Sequence, residues 1–491
     1  MPPPQPDPPV HALCVDLDGT LVRSDATWES ILAEIRARPV LGTLKVLRLA
    51  LKGRSHLKAA LRDHLPAIAE DLPLNPGAEA AIAEARRRGW QVILVTASDQ
   101  AIADRLADRT GLFDAAYGSR PGLNLKGRRK AAFMDDTFGE KAYVYLGDAP
   151  ADRAVWPHAA ESWITGPHRF LARGEERRGA TVRTFFEEAR PPAWAIWAKG
   201  LRMHQWVKNL LVFVPLLAAH RWSETGPLVQ SLLAFAGLSC IASSVYLIND
   251  LVDLPSDRRH PTKSQRMLAA GWLTIQQALL GIPLIFFLGI AFGAAAGLEV
   301  SLGLWAYGIL VLGYIFFLKK LLFLDALSLA GFYVLRIAIG GLAAGVVLSP
   351  WLLGVSLFFF LSLAMAKRTA ELNNRRKRES DRDRPGFGRA YQVDDLPLVA
   401  GCGVAAGYGS VIILALYISS PVSARLYPTN GLLWLLCPLV LYWISRVWLL
   451  TWRGHLDEDP IVFALRDRAS WLVGVAGLLI FSAASFWGGG S

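Results

Sequence analysis

Two sets of aspartates in this 491-residue chain are spaced for chemistry. The first closes an apolar run, His11-Ala12-Leu13-Cys14-Val15-Asp16-Leu17-Asp18-Gly19-Thr20. Alternate side chains of a strand share a face, so Asp16 and Asp18 would stand on one side of the strand's end, which suits a carboxylate nucleophile beside a carboxylic acid. The second set follows another apolar run, Asn249-Asp250-Leu251-Val252-Asp253-Leu254-Pro255-Ser256-Asp257, or N-D-x-x-D-x-x-x-D. Spacings of three and four put these carboxylates on one helix face. Left alone they would repel one another, and oxygen-only ligands suit Mg²⁺ bridged to substrate phosphates. The basic stretch behind them, Arg258, Arg259, His260, Lys263 and Arg266, offers donors for a diphosphate clamp at the mouth of an apolar cavity. The plainer alternative is a solvated helix end with ordinary surface acids.

The elements that must position these residues differ. With 53% apolar residues and 17 Trp the chain has the totals of a membrane protein, but residues 1 to 195 hold no apolar run of 18 or more, whereas such runs follow one another afterwards. This divides the chain into a domain 1–195 and a membrane domain 196–491. Nine spans are expected, near 206–220, 227–248, 274–296, 300–318, 321–346, 349–366, 397–419, 431–449 and 469–488. Lys and Arg collect in the loops after the second, fourth, sixth and eighth spans, including Lys319, Lys320, Lys367, Arg368 and the run Arg375 to Arg389. That bias places the first domain and the charged loops in the cytoplasm, at the inner or plasma membrane. The start, Met1-Pro2-Pro3-Pro4, has neither a basic nor an apolar stretch, so no secretory signal is expected. The net charge of +11 is explained by the membrane rather than by nucleic acid. Four scattered cysteines (Cys14, Cys240, Cys402, Cys437) have no metal-type spacing.

N-D-x-x-D-x-x-x-D followed by R-x-H-P-T-K-x-x-R-x-x-A-A-G resembles the first aspartate-rich motif of the UbiA superfamily of membrane prenyltransferases. The resemblance covers roughly 195–490 and implies a bundle of about nine transmembrane helices, its active site near the cytoplasmic face, with Asp250, Asp253 and Asp257 as catalytic metal ligands and Asn249, Lys263 and Arg266 beside the substrate. The basic continuation is nearer the branch that includes decaprenyl-phosphate phosphoribosyltransferase. Arg202-Met203-His204-Gln205-Trp206-Val207-Lys208-Asn209 is similar to the family's R-x-x-Q-W-x-K-N, implying that Arg202, Lys208 and Asn209 reach phosphate. Tyr314, Lys319 and Asp325 fall where the superfamily has its second polar motif, but only one aspartate stands there, which fits a second substrate whose phosphates meet Lys319. Arg336 lies within the fifth span and should face the bundle interior.

The stretch from Asp16 to Val22 resembles motif I of the HAD superfamily, a Rossmannoid doubly wound α/β fold with a helical cap. Val92 to Ser98 matches motif II, with Thr96 as phosphate ligand; Asn124-Leu125-Lys126-Gly127 matches motif III, with Lys126 as its lysine and Lys130 as the competing choice; Tyr143 to Asp152 matches motif IV. The resemblance implies a phosphatase with Asp16 as nucleophile, Asp18 as acid, and Mg²⁺ held among Asp16, Asp18, Asp148 and Asp152. Residues 24–80, helical by pattern and carrying Lys52, Arg54, His56 and Lys58, would be the cap.

Together these readings describe a prenyl-group transferase acting on a polyprenyl phosphate or diphosphate with Mg²⁺, fused to a phosphatase. Its co-substrate is aromatic or phosphoribosyl, and in the latter version the phosphatase would strip the product's remaining phosphate. The rival is a lipid-binding bundle without chemistry, and a homo-oligomer is left open.

Overall fold

The computed structural model describes residues 10–53, 56–57, 60–166, 169–186, 190–377, 391–456 and 460–486. Arg54 and Lys58 of the expected cap, the first nine residues, and Arg378, Arg382, Arg384 and Arg389 of the basic run lie outside the described residues. The chain forms two compact units: Met1–Leu201 with Leu247–Ile282, and Arg202–Tyr246 with Pro283–Ser491. Composition alone divides the chain at 195/196, whereas the segment that carries the second aspartate set groups with the N-terminal residues.

In the first unit six strands form one sheet in the order β3-β2-β1-β4-β5-β6: β1 Ala12–Val15, β2 Gln91–Asp99, β3 Ala115–Ser119, β4 Tyr143–Gly147, β5 Glu161–Thr165 and β6 Val182–Phe185. Every pairing is parallel, which explains why the strands read as apolar runs: both faces are covered. Leu13, Val15, Leu94 and Leu146 enter one core, and Cys14, Ile93, Val95 and Tyr145 the other. The strand order reverses between β1 and β4, so the carboxyl ends of those two strands border the crevice where such sheets bind ligands. The cap expected at 24–80 is helical, with helices Ala26–Ala37 and Pro39–Leu51 and a shorter turn of helix at Leu65–Ala69. Asp25 caps the first of these by accepting from the Thr27 and Trp28 amides.

Eight helices among the described residues are long and apolar enough to cross a membrane: Thr225–Val252, Ile275–Ala296, Leu298–Lys320, Leu324–Ala344, Pro350–Arg376, Val393–Ile418, Asn430–Trp452 and Arg468–Ser485. They coincide with the second to ninth expected spans. The first, 206–220, is instead a tighter 3₁₀ stretch, Met203–Phe213, joined to the short helix Val214–Ala218. Lys208 and Asn209 interrupt its apolar pattern and Pro215 limits its backbone bonding. Gly340 accommodates this stretch, since a Cβ there would run into the Val212 carbonyl.

The core of the second unit gathers Ala326, Ala330, Phe360, Leu363, Trp443 and Trp448, with Tyr333 stacked on Phe360 at 4.4 Å. Leu284, Phe287, Leu302, Ile309, Leu472 and Leu478 remain outward and exposed. That is the expected arrangement where lipid is the solvent.

Candidate functional site

At the end of β1 the chain must turn sharply beneath Asp148. Gly19 permits it: its φ is +82°, and a Cβ there would lie 2.5 Å from the Asp148 carboxylate. Asp16, Asp148 and Asp152 each turn one carboxylate oxygen into a group whose members lie within 4.8 Å of one another, a fit for a hard divalent cation. Among the described residues no other cluster of His, Cys, Asp and Glu comes this close.

Lys130, buried on helix Arg128–Phe138, sends its ammonium to Asp16 Oδ1 at 2.6 Å and to the Tyr145 hydroxyl at 2.9 Å. Tyr145 in turn donates to Asp152 Oδ1 at 2.8 Å, while the Ala149 amide donates to Asp152 Oδ2 at 2.9 Å and Thr20 donates to Asp148 Oδ1 at 2.9 Å. Asp18 accepts from the Ala26 amide at 2.8 Å and from Ser98 Oγ at 2.6 Å.

Crowded carboxyls in a buried site resist ionisation. Burial, then the neighbouring Asp25, pushes Asp18 up to about 7. Burial, with Asp16 beside it, pushes Asp152 up to about 6 and the same cause with Asp152 raises Asp148 well above the carboxylate range. An acid near 7 is suited to protonating a leaving oxygen at neutral pH.

The second aspartate set is arranged otherwise. Helix Thr225–Val252 ends just after Asp250, Asp253 sits at the junction, and a new helix Leu254–Arg259 carries Asp257. Asp250 and Asp257 are buried and are joined by Arg266, whose Nη1 lies 3.3 Å from Asp250 Oδ1 and 2.5 Å from Asp257 Oδ2. Burial still raises Asp257, with Arg266 pulling the other way. Asn249 is half-buried next to Asp250, and Lys263 lies on an exposed turn.

In the second unit Arg336 is 4% exposed and fully engaged: Nε donates to Asn209 Oδ1 at 3.0 Å, Nη2 to the Tyr307 hydroxyl at 2.7 Å and Nη1 to the Phe332 carbonyl at 2.7 Å. Asn209 also donates to Ser239 at 3.0 Å. Arg202 takes the left-handed conformation at φ 52° and its guanidinium stands 5.2 Å from the Tyr246 ring. Lys208 and Lys319 are half-buried, and Tyr314 meets Phe332 edge-on at 5.6 Å. Asp325 is wholly buried, accepting from Arg368 Nε at 2.5 Å and from the Tyr391 hydroxyl at 2.6 Å.

With this geometry in place, comparison with known proteins is decisive for the membrane part: residues 210–485 match the model of the UbiA prenyltransferase family. The chain belongs to the UbiA prenyltransferase family. Residues 10–153 match that of the haloacid dehalogenase-like hydrolases, so this UbiA protein carries a HAD domain. A protein of Sinorhizobium fredii, the uncharacterised y4nM, is 35% identical over 94% of this chain and 89% of its own length. The nodulation protein NoeC of Azorhizobium caulinodans is 33% identical over 58% of this chain and 91% of its own. The decaprenyl-phosphate phosphoribosyltransferase of Corynebacterium glutamicum is 38% identical over 35% of this chain, a match spanning 54% of that enzyme.

Placement of the individual side chains in this UbiA–HAD chain departs from the motif reading at three points. Lys126 is exposed, and Lys130 occupies its expected place at Asp16. Gly127, at φ 56°, precedes helix Arg128–Phe138, and Lys130 lies on that helix's buried face. Thr96 is wholly buried, its hydroxyl accepting from the Ser98 amide at 2.9 Å, and Ser98 is the hydroxyl that touches Asp18. Asn209 is occupied with Arg336. The signal for Ser98 was the period-two alternation from Thr96; Arg266 closing on Asp250 and Asp257 had none.

Proposed function

We propose that the UbiA half transfers a phosphoribosyl group from phosphoribosyl diphosphate to a polyprenyl phosphate, and that the HAD domain then removes the product's remaining 5-phosphate. One observation carries the choice of co-substrate: Asp325, the lone acid at the second polar motif, is consumed by Arg368 and Tyr391 and is not available to a second metal cluster. A single acidic motif with Lys and Arg around it suits one diphosphate-bearing substrate and one lipid monophosphate. The named phosphoribosyltransferase relative supports the same reading.

In the transfer, a phosphate oxygen of the lipid attacks C1 of the ribose while the bond from C1 to the diphosphate oxygen breaks and diphosphate departs. Asp250, Asp253 and Asp257 would hold Mg²⁺, which when bound offsets the charge of the diphosphate. Arg266 then exchanges carboxylate for phosphate partners, for which its planar fork is suited. In the phosphatase step Asp16 attacks phosphorus, the bond from phosphorus to the sugar's 5-oxygen breaks, and Asp18 gives that oxygen its proton. Asp18 afterwards takes a proton from the water that hydrolyses the aspartyl-phosphate. Lys130 neutralises the phosphoryl oxygens, and Asp16, Asp148 and Asp152 have the donor set for Mg²⁺. Both reactions would face the cytoplasm, the side to which the loop lysines and arginines assign the N-terminal domain.

The test uses purified enzyme in detergent with Mg²⁺, offered a polyprenyl phosphate and labelled phosphoribosyl diphosphate in one tube, and a polyprenyl diphosphate with labelled 4-hydroxybenzoate in another. Label is expected in lipid from the first tube. Label only from the second would make the chain an aromatic prenyltransferase and overturn the proposal.

A further inference from the structure

Behind Asp257 come two arginines that face the cap rather than a phosphate. Arg258 makes a two-pronged pair with Glu29 of helix Ala26–Ala37, Nη2 to Oε1 at 2.6 Å and Nη1 to Oε2 at 3.2 Å, with side chains only 7% and 5% exposed. Arg259 makes a second fork on Asp71, at 2.8 and 2.7 Å, nearer solvent. From the same cap helix Arg36 Nε donates to the Val252 carbonyl at 2.8 Å, satisfying one of the carbonyls that a helix leaves open at its C-terminus. Arg23 donates to the Ala270 carbonyl at 3.2 Å and lies 3.9 Å over the Trp272 ring. Gly271, at φ +74°, admits this approach, for a Cβ would sit 2.5 Å from the Arg23 Cβ. The segment that carries Asp253, Asp257 and Arg266 is therefore fastened at both ends to residues 23–71.

Burial of an ion pair is a poor way to gain stability, because desolvation offsets most of the attraction. Here Arg258 Nε is in addition buried without a hydrogen-bond partner. A cleft of about 180 Å³, lined by Glu29, Arg36, Asp71 and Arg258 and by apolar side chains that include Leu32 and Pro255, leaves the seam less than fully packed beside the ion pairs. The cap helix is itself tied to the phosphatase site, since the amide of its first residue, Ala26, donates to Asp18, and Ser24 donates to Glu29.

We infer that helix Ala26–Ala37 is a clamp on the acidic motif, in which Glu29 and Arg258 are positioning residues holding Asp257 and Arg266 in register for phosphate. The inference rests on the reading of that motif as the transferase site. It makes the HAD domain a working part of the transferase and not only the next enzyme in sequence.

The experiment compares the full-length protein in detergent with Glu29→Gln and with the exchanged pair Glu29→Arg/Arg258→Glu, following hydrogen exchange of residues 253–271 and transfer of labelled phosphoribosyl to polyprenyl phosphate. In Glu29→Gln the segment is expected to exchange roughly tenfold faster and kcat to fall roughly tenfold, with KM for the lipid little changed, as suits loss of one charge-assisted fork. Protection of β1 and β4 reports that the domain is folded. The exchanged pair should recover at least half of both losses. Wild-type exchange and kcat in Glu29→Gln, or no recovery in the exchanged pair, would overturn the clamp. If Glu29→Gln fails to fold, Asp71→Asn, at the exposed fork, carries the same test with a smaller expected change. A wild-type protein that transfers no label defeats the functional reading alone, since the exchange measurement still decides the clamp.

Discussion

The two aspartate sets are held in different ways. In the HAD domain Asp16, Asp148 and Asp152 are gathered at the ends of β1 and β4, with Lys130 paired to Asp16. Burial first, and then the repulsion of neighbouring carboxylates, makes Asp18, Asp148 and Asp152 hold protons above the ordinary range. In the acidic motif Arg266 bridges Asp250 and Asp257, so both of these carboxylates share a guanidinium partner within the protein. Strand ends are rigid and can store such repulsion; a helix that breaks at Asp253 and resumes at Leu254 depends on partners for its shape. On the function proposed above, the first site would take up a cation and the second would exchange an arginine's partners when phosphate enters.

The largest effects should separate the two sites. Asp16→Asn is expected to lower phosphate release roughly a thousandfold or more, as removal of a nucleophile does, and phosphorylated lipid product should accumulate. Asp250→Asn is expected to lower lipid labelling about a hundredfold, because it removes a ligand for the metal that offsets diphosphate charge. Chromatography of the labelled lipid distinguishes the outcomes. Unchanged labelling in Asp250→Asn would mean that Asp250 holds no metal needed for transfer and would dissolve the comparison.

A smaller effect tests which lysine serves the HAD site. Lys130→Ala should lower phosphatase kcat about a hundredfold, as loss of a charge donor to the phosphoryl group does, whereas Lys126→Ala should change it by about twofold at most. A larger loss in Lys126→Ala would mean that the exposed lysine folds in when substrate binds. The pair also marks what could be read from the residues alone. Strand-ending aspartates were legible, because a buried parallel strand is an unbroken apolar run whose end is easily seen. The helical spans were legible for the same reason, from 225 onward. Lys130 was legible as the alternative to Lys126 but not as the lysine at Asp16, and contacts between residues far apart in the chain were not legible at all. Glu29 meeting Arg258 is such a contact, the two lying 229 positions apart. The apolar count of 206–220 indicates a span but not its division into the 3₁₀ stretch Met203–Phe213 and the short helix Val214–Ala218.

The smallest expected effect concerns pH. In the metal-free HAD domain Asp152 is raised to about 6 and Asp18 to about 7 by burial, above the range of an unfolded carboxyl. A carboxyl whose pKa is higher in the folded state favours folding while protonated, and this contribution is lost as pH rises through the folded value. The metal-free domain should therefore lose stability between about pH 5.5 and 8, as buried carboxylates ionise against one another. Mg²⁺ acts in the opposite sense, since it must displace protons at low pH but finds the carboxylates already ionised at high pH. The rise in melting temperature of the HAD unfolding transition produced by Mg²⁺ should accordingly grow from pH 5.5 to pH 8, by a few degrees in a domain of this size. Differential scanning fluorimetry of the full-length protein with Mg²⁺ or with chelator reads this directly. A rise that is the same at both ends of the range would mean that the three carboxylates ionise freely, and burial would then hold no protons in this site.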